Sequence, residues 1–103
     1  MKITMEIRIQ DVHFDATEAL KSFIQKKVSK LEQYYDGIIA AEVTLKVVKP
    51  ETAANKEAQI RLVVAGQDLF ASKTSDTFEE AIDGNVDALQ KQLIKFKEKI
   101  RAK

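Results

Sequence analysis

The chain has 103 residues, 45% of them hydrophobic and 32% charged, and a net charge of only +1. That length holds one core and leaves no room for a separate catalytic module, so residues 1–103 are read as a single domain. Zero cysteines exclude a disulfide framework and thiolate metal sites, a single histidine argues against a His-based zinc site, and no apolar run is long enough to span a bilayer.

At the start, Ile3, Met5, Ile7 and Ile9 alternate with Lys2, Thr4, Glu6, Arg8 and Gln10, which predicts a strand with one buried face. Such alternation is not the unbroken apolar segment of a secretory leader, so a cytoplasmic protein is expected. Asp15 followed by Glu18 resembles a capping box, after which Leu20, Ile24, Val28, Leu31 and Tyr35 recur at helical spacing until Asp36-Gly37. A helix of that length allows a parallel return, and Val43, Leu45 and Val47 supply the strand that pairs with the first.

Pro50 stops this strand, and Lys49 to Glu57 reads as an exposed, mobile loop. Ile60, Leu62 and Val64 give a third strand, and Gly66-Gln67-Asp68 offers a reversal into a short fourth one around Leu69 to Lys73. Residues 74 to 103 read as one helix capped by Asp76 with Glu79, its core stripe being Ile82, Val86, Leu89, Leu93, Phe96 and Ile100. The order β-α-β-β-β-α predicts an α+β fold, a four-stranded mixed sheet with two helices packed on one face.

The last helix has two electrical halves. Asp76, Glu79, Glu80, Asp83 and Asp87 precede residue 91 without a basic residue, whereas Lys91, Lys95, Lys97, Lys99, Arg101 and Lys103 follow against Glu98 alone. Stepping 100° per residue sets Lys91, Lys95 and Lys99 away from the apolar stripe, with Lys97 and Arg101 in a second row. In the first helix Lys26 and Lys30 share the outer face, Lys27 lies nearer the rim and Lys21 on the opposite flank. Side-by-side helices would join these into one basic surface of the kind that neutralises nucleic-acid phosphates. A helix that merely complements its own macrodipole produces part of the same pattern. Six cations among the last 13 positions exceed what one terminal turn can use.

Other candidates have plainer readings. Glu79, Glu80 and Asp83 sit where first-turn capping explains them better than acid-base chemistry or a divalent metal. His13 has no nucleophile or partner base nearby in sequence, and the glycines, Gly37, Gly66 and Gly84, are too scattered for a phosphate loop. Tyr34 is kept as a stacking candidate, whereas Tyr35 continues the apolar stripe.

The segments EALKSFIQKKVSKLEQYYDGI and AIDGNVDALQKQLIKFKEKI, separated by the strands, resemble the short ribosome hibernation-promoting factors and the related ribosome-associated inhibitor. The most specific parts are Lys30-Leu31-Glu32-Gln33-Tyr34-Tyr35 and Ala81-Ile82-Asp83 leading to Gln92-Leu93, Lys95, Lys97 and Lys99. The resemblance implies a non-enzymatic translation inhibitor that fills the messenger and transfer RNA channel of the small ribosomal subunit in stationary phase or starvation. It also implies that Lys26, Lys27, Lys30, Lys91, Lys95, Lys97, Lys99 and Arg101 hold ribosomal RNA phosphates without reading bases. Neither cofactor nor small-molecule substrate is implied. Because the chain ends at Lys103, without the extra domain of long family members, ribosome dimers are expected only with a modulation factor. Two other classes stay open: a stand-alone double-stranded RNA-binding module, and a protein-interaction regulatory domain whose charged helix docks an acidic partner.

Overall fold

The computed structural model describes residues 6–12, 15–35, 37–48, 55–64 and 66–101, with backbone alone at 100 and 101. Strand β1 (Glu6–Val12) turns Ile7 and Ile9 toward the core and Glu6, Arg8 and Gln10 to solvent. The earlier part of its expected alternation, Ile3 and Met5, lies outside the described residues. Helix α1 (Glu18–Ser29) tightens into a 3₁₀ turn over Lys30–Gln33. Its stripe Leu20, Ile24, Val28 and Leu31 is buried, as the spacing predicts.

The cap differs from the sequence reading. Asp15 does not close α1; Thr17 does, its backbone extended and its hydroxyl accepting the Leu20 N–H at 3.1 Å. One turn of chain earlier, the Asp11 carboxylate accepts the Ala16 N–H at 2.7 Å and so fixes how the chain enters the helix. That bond, the Asp11 backbone N–H and nearby Lys21 hold the Asp11 carboxyl below the ordinary carboxylate range.

β2 (Ile38–Val47) runs parallel to β1, pairing Glu6 with Ala40 through Val12 with Lys46. β3 (Lys56–Val64) and β4 (Gln67–Ser75) follow antiparallel, giving the mixed order β1-β2-β3-β4. Both inner strands are longer than their apolar cores suggested. Lys56 and Glu57 are strand rather than loop, pairing with Val47 and Lys46, since ladder hydrogen bonds need backbone rather than apolar side chains; Asn55, just ahead of β3, is buried rather than exposed, its carbonyl accepting the Val48 N–H at 2.8 Å. The remainder of that expected loop, Lys49 to Ala54, lies outside the described residues. Likewise Gln67 and Asp68 belong to β4; the reversal is tighter, with Val64 paired to Gln67 and Gly66 at φ 89°, a conformation that favours glycine.

α2 (Phe78–Arg101) begins after residues 74 and 75, which are strand. Its cap is Thr77, whose hydroxyl accepts the Glu80 N–H at 3.1 Å and lies 3.4 Å from the Glu80 carboxylate. Thus the expected Asp76–Glu79 pair is one position out of register with the true one. Both helices cover one face of the sheet. Ala41, Ala58 and Ala71 among the larger Val43, Leu45, Ile60, Leu62 and Leu69 let them approach closely, and Ile82, Leu89 and Leu93 seal the centre.

Two polar features complete the frame. Asn85, fully buried on α2, donates through Nδ2 to the Ala58 carbonyl at 2.8 Å, fixing α2 over β3. On the open sheet face, ion pairs link Glu6 to Arg8 (3.2 Å), Arg8 to Glu42 (4.0 Å), Glu42 to Arg61 (3.5 Å) and Arg61 to Asp68 (2.6 Å), one ladder across all four strands. These carboxylates raise the pKa of both guanidinium groups.

Candidate nucleic-acid interface

The connections make the two helices run in the same direction, since α1 reverses β1 and α2 reverses the parallel-lying β4. Contacts agree: Lys27 meets Asp83, and further along both segments Tyr35 meets Phe96 edge to face, ring centres 5.3 Å apart. This direction decides how the charges meet. The basic end of α1 lies against the acidic first half of α2, while the basic second half of α2 continues beyond it.

Consequently the basic surface is interrupted rather than continuous. Lys27, half-buried above the Phe23 ring at 5.6 Å, is held by Asp83 at 3.2 Å, and Lys91 pairs with Asp87 one turn earlier at 3.4 Å. Lys26, Lys30, Lys95, Lys97 and Lys99 are exposed and have no ion-pair partner among the described residues. Arg101 closes α2, and its side chain lies outside the description. Of the carboxylates weighed as a metal or acid-base pair, Glu80 supports the Thr77 cap and Asp83 holds Lys27. His13 is outside the described residues.

A groove of about 300 Å³ separates the helices, lined by Lys27, Lys30 and Tyr34 on one side and Asp83, Asp87 and Gln90 on the other. Tyr34 is half-buried there, beside Lys30. On the other flank of α2 lies a second recess of about 230 Å³, formed by Gln67, Leu69, Gln92, Lys95, Phe96 and Lys99. Sequence reasoning missed it, because Phe96 was assigned wholly to the core. The ring is only half-buried, since near residue 96 the helix reaches Gln67, the first residue of β4, and the sheet ends. Tyr35 holds that ring in place and folds back over Gly37, where any Cβ would lie 2.7 Å from the Tyr35 ring. Lys73 was also overlooked; its stem packs on Gly84, so the mid-helix glycine was its only sequence signal.

Residues 7–101 match the family model described as Sigma 54 modulation protein / S30EA ribosomal protein. The chain belongs to this family. It is 37% identical over 97 residues to the ribosome hibernation promoting factor of Escherichia coli (strain K12), covering 94% of this chain and 98% of that protein. The factor of the same name from Azotobacter vinelandii is 33% identical over 95 residues, covering 92% and 85%. Among solved structures, the Thermus thermophilus Protein Y N-terminal domain superposes with a TM-score of 0.74 at 26% identity, covering 91% of this chain and 99% of that one. A ribosomal subunit interface protein from Coxiella burnetii reaches 0.82 at 22% identity over the same shares, a likeness of fold. The S30EA family match thus agrees with the resemblance read from the helix sequences and with the four-stranded mixed sheet.

Proposed function

We propose that this chain is a non-enzymatic ribosome hibernation factor that silences ribosomes by occupying the messenger and transfer RNA channel of the small subunit. The observation that carries the reading is the near end-to-end similarity to proteins named for ribosome hibernation. The charge distribution supports it: five exposed lysines, Lys26, Lys30, Lys95, Lys97 and Lys99, have no carboxylate partner among the described residues and suit a phosphate-lined wall. Their role is to position a rigid body, and inhibition is steric: a folded domain and a messenger strand cannot fill one channel together. The working compartment is the cytoplasm, and a modulation factor assists ribosome dimerisation.

Ribosome pelleting tests this reading. The protein is expected to sediment with small subunits at low salt and to be displaced by added messenger RNA. Failure to sediment refutes ribosome binding; sedimentation unaffected by messenger RNA refutes the channel. Equal affinity for a naked RNA duplex would instead assign a general double-stranded RNA-binding module.

A further inference from the structure

We propose that the recess between α2 and the start of β4 seats one unstacked RNA base, with the flanking phosphates held by Lys95 and Lys99. The inference rests on the reading of the chain as an RNA-bound factor and adds a base-dependent contact to an otherwise phosphate-only surface.

The recess has an apolar floor, Leu69 and the half-buried ring of Phe96, and holds about 230 Å³. The ring is fixed from another side by the Tyr35 edge contact, so an entering base meets a preset aromatic surface. Gln92 is pinned too, its Nε2 donating to the Phe70 carbonyl at 2.9 Å, which keeps that wall rigid. Gln67 lines the mouth and offers an amide that can donate to or accept from any base edge. Lys95 and Lys99 stand one helical turn apart at the rim, both exposed and without a carboxylate partner among the described residues.

Charge and shape select the occupant. Two unneutralised cations beside an apolar floor favour an anionic ligand with a flat apolar part. No carboxylate lines the recess, and Glu98, one helical turn beyond Lys95, forms no ion pair with it. A nucleotide combines both properties in one unit. An acidic peptide presents its charges without a planar face for Phe96, so it is the weaker match. Stacking tolerates any base, hence no sequence preference is expected from this contact.

The test is an NMR titration of the whole protein with adenosine monophosphate, ribose 5-phosphate and a short acidic peptide. Adenosine monophosphate is expected to shift the amides of Leu69, Gln92, Phe96, Lys95 and Lys99. Ribose 5-phosphate is expected to affect only the two lysines, and to bind about tenfold more weakly. Phe96→Leu keeps apolar bulk without the aromatic face and should reduce the nucleotide's affinity to that of ribose 5-phosphate, with its thermal midpoint reporting that the fold survives. Equal binding of the two phosphates by the wild type overturns the base seat without needing any variant, and tighter binding of the peptide reassigns the recess to a protein partner. A wild type that pellets with ribosomes yet ignores the base refutes this inference alone; one that fails to pellet refutes the proposed function.

Discussion

Asn85 is the one fully buried polar side chain at the helix–sheet contact among the described residues, and its Oδ1 faces no donor there. Its worth lies in the bond from Nδ2 to the Ala58 carbonyl. Asn85→Ala removes that bond and leaves a gap, so chemical denaturation should show a loss of about 1–3 kcal/mol; no loss would mean α2 is located by its apolar stripe alone. Asp11 makes a pH-dependent contribution of known sign. Its folded pKa is depressed, so its stabilisation is present above the ordinary carboxylate value and is lost as pH falls through the folded value. Asp11→Asn, which retains an acceptor for the Ala16 N–H, should therefore flatten the acid limb of a urea midpoint against pH profile. An unchanged limb would assign acid sensitivity to other carboxylates. At this scale sequence was least informative: Asp15 and Thr17, like Asp76 and Thr77, are all competent caps, and three-dimensional entry of the chain chooses between them.

Element by element, α2 was the most legible. Steps of four and three predicted its buried stripe, and Ile82, Leu89 and Leu93 are fully buried while Val86 is half-exposed. The same periodicity placed Lys91, Lys95 and Lys99 outside, and they are exposed. Lys91, Lys95 and Lys99 changed together to Glu should abolish ribosome pelleting while moving the thermal midpoint by only about a few degrees, since exposed charges contribute little to folding. A large drop in the midpoint would show that these stems pack rather than project. What period could not reveal was strand length, because Lys56, Glu57 and Gln67 enter the ladder through backbone groups without regard to side-chain polarity.

For the molecule as a whole, the mixed sheet was readable because α1 is long enough for a parallel crossover while the later strands sit close together in sequence. The pairing of Lys27 with Asp83 was not, since it joins residues far apart in sequence and depends on both helices running the same way. That pair holds a cation that the proposed RNA partner would otherwise take. Asp83→Asn should release Lys27, tighten ribosome binding at low salt and steepen its decline with salt by about one phosphate contact, roughly −0.7 to −0.9 in the log–log slope. Pelleting across a salt series reads this directly; an unaltered slope would mean that Lys27 stays out of reach of RNA.

The ladder from Glu6 to Asp68 sets three carboxylates against two guanidinium groups at close range, so it offers no positive surplus on the open sheet face. The cationic tail of α2 then dominates what a distant polyanion senses. Such lopsidedness acts as a torque: the protein is turned the right way round while still diffusing, and fewer collisions are wasted on an unproductive approach.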